Sequence, residues 1–245
     1  MPSRLRDACV ASLIAIVVAV ILTWPIAARL GSAGRVDSGD GRHGVWNVAW
    51  VAHALTTNPA SLFDANIFYP HKQTLAYSEA NIIAGIVAAP VWVATKNPYA
   101  SYNTVVLLAF AGAALSAFLL VRVLGGSQLS ASIAGLMYGF SPYMFAHVPH
   151  IQLLMTFGPP LSLAAMHHFT KAPSMRRGAL LGAALSVTGL ACAYYGIFAG
   201  LATGFGLLWN AIAQRRLRQS RFWLGALMAA GVVVVMVGPV FVPYI

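Results

Sequence analysis

The chain has 245 residues, 59% hydrophobic and 8% charged, with 15 lysines and arginines, five acids and a net charge of +10. Soluble globular chains are about half apolar and about a quarter charged, so the composition excludes an ordinary soluble domain and implies a membrane protein. The positive charge would point to nucleic acid in a soluble chain, but here the basic residues fall between apolar runs, where they set membrane orientation; no nucleic-acid partner is expected.

The apolar runs approach the ~20 residues needed to cross a hydrocarbon core. They lack the short alternating segments of a membrane β-barrel. The predicted fold is therefore all-α, a polytopic membrane helix bundle. Arg4 and Arg6 precede an apolar stretch from Ala8 to Ala28. That stretch is longer than the roughly 7–15 residues of a cleaved signal core, so an uncleaved signal anchor is expected. Predicted spans are 9–29, 100–121, 129–146, 151–169, 178–193, 196–213 and 222–242, about seven in all. Segment 80–95, with 16 residues and Pro90 inside, is short for a span.

If segment 80–95 does not cross, ten basic residues share one face: Arg4, Arg6, Arg122, Lys171, Arg176, Arg177, Arg215, Arg216, Arg218 and Arg221. Five remain opposite, namely Arg29, Arg35, Arg42, Lys72 and Lys96. The positive-inside rule makes the richer face, and the N-terminus, cytoplasmic. Residues 30–99 then form a long structured first outer loop with juxtamembrane helices. Cys9 and Cys192 lie in separate apolar runs, and neither a disulfide nor a metal site is expected of them. The chain stops at Pro243-Tyr244-Ile245 in a hydrophobic run, and a missing C-terminal remainder is expected.

Four of the five acids, Asp37, Asp40, Asp64 and Glu79, lie in that outer loop. Glycines 31, 34, 39, 41 and 44 surround the first two, which favours turns. Asp37-Ser38-Gly39-Asp40 can supply a general base with a partner, or hold a divalent cation such as Mg or Mn. The alternative is a solvated loop whose acids make turns. WNVAWVAHAL, starting at Trp46, puts Trp46, Trp50 and His53 near one helical face, as at a membrane interface. SLFDANIFYPHKQTLAYSE, starting at Ser61, has no clear period and reads as an ordered loop. It carries Asp64, Asn66, Tyr69, His71, Lys72 and Glu79, and Asn47 lies just upstream.

His147 and His150 flank Pro149 in a predicted outer turn. Metal or phosphate binding and a plain interfacial pair stand as equal alternatives. Tyr194-Tyr195 reads as an aromatic belt, His167 and His168 as boundary residues. Gly196, Gly200 and Gly204 have the small-xxx-small spacing of close helix packing. None of the predicted spans has an Asp, Glu, Lys or Arg in its interior, where ion-coupled transporters usually keep one.

The layout resembles the GT-C superfamily of integral-membrane glycosyltransferases: an uncleaved first span, an acid soon after it, an amphipathic helix, an aromatic loop, a partly inserted helix and then hairpins of spans. GDGRHGVWNVAWVAHAL, SLFDANIFYPHKQTLAYSEANI and YGFSPYMFAHVPHIQLLM look most like the bacterial YfhO-like, glycosyltransferase-like branch. The resemblance covers essentially the whole chain, as an N-terminal seven-span module in the bacterial inner membrane. It implies inverting transfer of a sugar from a polyprenyl-phosphate donor, held with membrane lipid, to a glycan, lipid or protein acceptor on the periplasmic or extracellular side. By position Asp40 is the implied base, with Asp37 next. Arg42, His71, Lys72, His147 and His150 are the donor-phosphate candidates, and Trp46, Asn47, Asp64, Asn66, Tyr69 and Glu79 the pocket candidates. Relatives carry acids where this chain has the histidine turn, so a metal requirement does not carry over. A transporter or flippase of lipid-linked saccharides, without catalysis, is the alternative.

Overall fold

The computed structural model describes residues 2–34, 36–37 and 39–245, with side chains from Arg6 onward. Arg35, one of the five expected outer basic residues, and the Arg4 side chain lie outside the described set. The described chain is helical: α1 (Pro2–Leu22), α2 (Asp40–Thr57), α3 (Ile82–Thr95), α4 (Pro98–Val123), α5 (Gln128–Gly139), α6 (Pro142–Ala146), α7 (Ile151–Leu154), α8 (Gly158–Lys171), α9 (Met175–Ala191), α10 (Ala193–Ala213) and α11 (Ser220–Phe241).

Helix α4 is the axis of the N-terminal half. Asn97 starts it by accepting the Ala100 N–H at 2.9 Å, with Pro98 at the first helical position, where a missing N–H is harmless. Its buried face carries Tyr102, Val105, Val106 and Phe110, against which α1, α2, α3 and the short α7 pack. In the C-terminal half α9 lies against α11 at near backbone contact. A Cβ on Gly178 would strike Gly225, and one on Gly182 would strike Ala229, which is how small residues let membrane helices approach. The predicted glycine ladder behaves differently: Gly196 meets the backbone of Gly189, while Gly200 and Gly204 face open space.

The bundle is confirmed, but the span count differs from the sequence expectation. Among the described residues three helices, not seven, are long and apolar enough to cross a membrane: Pro98–Val123, Ala193–Ala213 and the segment Ser220–Tyr244. Prolines explain two of the differences. Pro142 splits the predicted span 129–146 into α5 and α6, and in the predicted span 151–169 Pro159 and Pro160 open a 14-residue α8 preceded by the short α7. A proline cannot donate in a helix interior but is tolerated in a first turn, so each break restarts a helix. Segment 80–95 forms the short apolar helix α3, of 14 residues.

Basic groups gather at one end. Asp7 on α1 lies 3.8 Å from Arg122 on α4. Arg122, His167, His168 and Lys171 line one cavity, Arg177 donates to the His168 and Ala172 carbonyls, and Arg216 donates to that of Thr170. The two cysteines are unpaired.

Candidate functional site

The helix that organises the opposite end is α2. Asp37 shapes its start: Oδ1 accepts the N–H groups of Gly39 at 3.2 Å and Gly41 at 2.8 Å, using otherwise unpaired donors of the first turn. That oxygen is thus committed to the backbone. Asp40, at the first helical position, is left with a side chain 76% exposed. Its Oδ2 lies 3.0 Å from His150 Nε2, across 110 residues of chain.

The histidine turn is held by buried contacts. Tyr102 on α4 donates its hydroxyl to the Val148 carbonyl at 2.8 Å. Gly44 lets α2 approach the turn: a Cβ there would meet Tyr102 Cε2 at 3.2 Å and the Pro149 carbonyl at 3.6 Å. With Nε2 facing a carboxylate, His150 carries its proton on that nitrogen, and Nδ1 is buried without a partner. His147 stacks on the Tyr143 ring at 4.0 Å, and its Nδ1 pairs with the Tyr143 carbonyl at 2.8 Å. Tyr195 donates to the Leu153 carbonyl, so Tyr143 is the donor in the 2.8 Å contact between the two hydroxyls. Tyr195 is therefore a supporting residue of the turn rather than part of a belt, whereas Tyr194 is exposed.

The other acids go elsewhere. Asp64 Oδ1 accepts the Gln73 N–H at 3.0 Å and closes the aromatic loop at its base, together with Thr74 donating to the Ala65 carbonyl and Leu75 N–H to that of Phe63. Glu79 Oε1 accepts the N–H of Ala193, the first residue of α10, at 2.8 Å, tying the outer loop to a helix 114 residues away. Burial raises the Glu79 carboxyl above its ordinary value, and contacts from Ala193 and Cys192 oppose the shift. Asn47 and Asn81 both donate to the Glu79 carbonyl, at 3.0 and 3.1 Å. The acids clustered in sequence thus have separate partners in space. Among the described residues no group of three or more His, Cys, Asp or Glu is placed to hold a metal ion, and Asp37 uses Oδ1 for the helix start.

Of the proposed phosphate contacts, His147 and His150 lie in the turn that meets Asp40. His71 and Lys72 are exposed on the aromatic loop beside Tyr69, which is 97% exposed. Neither side chain pairs with Asp40 or the histidine turn among the described residues. Arg42 lies on the far side of α2, in a groove of about 550 Å³ that also holds Trp46, Trp50, His53, Asn66 and Trp92. Trp46 Nε1 donates to Asn66 Oδ1 and Trp50 Nε1 to the Leu62 carbonyl, each at 2.9 Å. The helical spacing of Trp46, Trp50 and His53 predicted their common face; nothing local predicted that Trp92, from α3, would complete the wall. Comparison with known proteins adds no assignment: no protein-family model, curated protein or solved structure matches this chain.

Proposed function

We propose that the protein is a multi-pass membrane glycosyltransferase of the GT-C type, with its N-terminus on the cytoplasmic side and its site on the opposite face. It transfers a sugar from a polyprenyl-phosphate donor. The observation that carries this reading is the Asp40–His150 pair, which joins the acid after the first helix to the histidine turn in one exposed, partnered arrangement. An ionised Asp40 takes the proton of the acceptor hydroxyl as that oxygen attacks the anomeric carbon. His150 holds the carboxylate in place through its N–H, and the lipid phosphate leaves with the electron pair of the broken bond. A positioned base contributes about 10²–10⁴-fold to such a step. Asp37 serves the geometry of the α2 start.

The test is transfer of label from a polyprenyl-phosphate sugar in membranes containing the whole protein. Asp40→Asn keeps the size and one acceptor oxygen but removes the base, and transfer should fall at least about a hundredfold. Unchanged transfer in a variant that still folds would remove the catalytic assignment.

A further inference from the structure

At the end of the molecule opposite Asp40, the basic side chains differ in how their donors are used. Arg177 donates to the His168 and Ala172 carbonyls and Arg216 to that of Thr170. The last carbonyls of a helix lack partners within it, so these two guanidiniums serve the end of α8. Arg122 and Lys171 are less committed. Arg122 gives one N–H to the Gly126 carbonyl at 2.8 Å, and Asp7 stands 3.8 Å away, beyond hydrogen-bond distance. A guanidinium carries five N–H donors, so most of those on Arg122 are unused. Lys171 is exposed and pairs with no acid among the described residues. Both line a cavity of about 380 Å³ between α4 and α8, beside His167 and His168. No carboxylate lines it among the described residues.

The place of this cavity in the fold selects the kind of anion that fits it. Leu119 and Val123 form an apolar side of it, and both lie near the C-terminus of α4, one of the helices long and apolar enough to cross a membrane. The cavity therefore stands where that helix ends, at the depth of lipid headgroups, with apolar surface next to cations. A soluble anion would use the cations alone, whereas a phospholipid uses both. We propose that this cavity binds the headgroup of an anionic phospholipid, with Arg122 and Lys171 on the phosphate oxygens and an acyl chain along Leu119 and Val123. Basic pockets between helices at a membrane surface take such headgroups, and each Lys or Arg there adds attraction for negative lipid. Arg122 suits the role because its planar fork pairs with two oxygens at once. The site lies at the other end of the molecule from Asp40 and does not depend on the sugar-transfer reading.

The experiment is titration of the intact protein in dodecyl maltoside with dioleoyl phosphatidylglycerol, the bound fraction being read by native mass spectrometry. Saturable binding is expected, about tenfold tighter than that of dioleoyl phosphatidylcholine, which has the same chains and phosphate but no net charge. Lys171→Gln should raise the dissociation constant about fivefold, as for one basic residue at an anionic surface, and Arg122→Gln by at least as much. Arg218→Gln removes the same charge from the exposed segment between α10 and α11, outside the cavity, and should leave the constant unchanged. Thermal unfolding checks that the variants are folded, and the exposed Lys171 carries the test if Arg122→Gln is not. Equal binding of phosphatidylcholine, or equal weakening by Arg218→Gln and Lys171→Gln, overturns the site. Displacement of the lipid by an equal concentration of glycerol phosphate overturns the lipid assignment and makes the cavity a site for a soluble anion. An Asp40→Asn variant should bind phosphatidylglycerol like the wild type, so loss of transfer and loss of this site are separable.

Discussion

On one face of α2, Asp40, Gly44 and Asn47 are engaged by His150, Tyr102, the histidine turn and the Glu79 backbone. On the other face, Arg42, Trp46, Trp50 and His53 border an open groove. The first face places a carboxylate against a partner brought from 110 residues away; the second turns its indole donors to the aromatic loop. A helix presents different residues on its two sides because neighbours three or four apart share a face. One short helix can therefore separate an exposed carboxylate from an aromatic groove.

The sharpest way to break this contrast is Asp40→Asn, with its loss of at least about a hundredfold in transfer. Next in size is Gly44→Val. Its side chain would collide with Tyr102 and the Pro149 carbonyl, and overpacking of this kind costs about 1–3 kcal/mol. Chemical denaturation should show that loss, and transfer should fall with it because the histidine turn is pushed from Asp40.

A comparable change comes from Tyr102→Phe, which strips the Val148 carbonyl of its hydroxyl donor. Leaving a buried acceptor unpaired costs about 1–3 kcal/mol, measurable as a lower unfolding midpoint.

Glu79 gives a smaller, pH-dependent signal. Its folded-state carboxyl titrates above the ordinary value because of burial. The protonated group therefore contributes its full stability below the ordinary carboxylate range and loses it as pH rises through the raised value. The melting temperature should fall across that window in the wild type, and Glu79→Gln should flatten the dependence. A wild-type profile that rises there would contradict the burial effect. Smallest of all, Lys72→Ala and His71→Ala should shift stability by less than about 0.5 kcal/mol, as for exposed positions away from special contacts.

Several local features were legible in the sequence. The shared face of Trp46, Trp50 and His53 followed from helical spacing, and the short helix at 80–95 from its length and Pro90. The gathering of acids in residues 37–79 was also visible, but its meaning was not: Asp37 holds a helix start, Asp64 closes a loop, Glu79 anchors α10, and Asp40 alone meets the histidine turn. Composition could not show this because an acid's role depends on which donor approaches it. Two of the seven expected spans are not continuous helices for a similar reason. Hydropathy windows run across Pro142 and Pro159-Pro160, while at each a new helix starts.

Composition and periodicity by themselves determined a helical, apolar chain, the aromatic stripe of α2 and the basic residues between runs, since each follows from neighbours within a few turns. The pairing of Asp40 with His150, of Glu79 with the start of α10, and of Trp92 with the α2 stripe was decided only by the tertiary structure. Those contacts join separate helices, and their geometry is set by how closely glycine and proline let the helices meet.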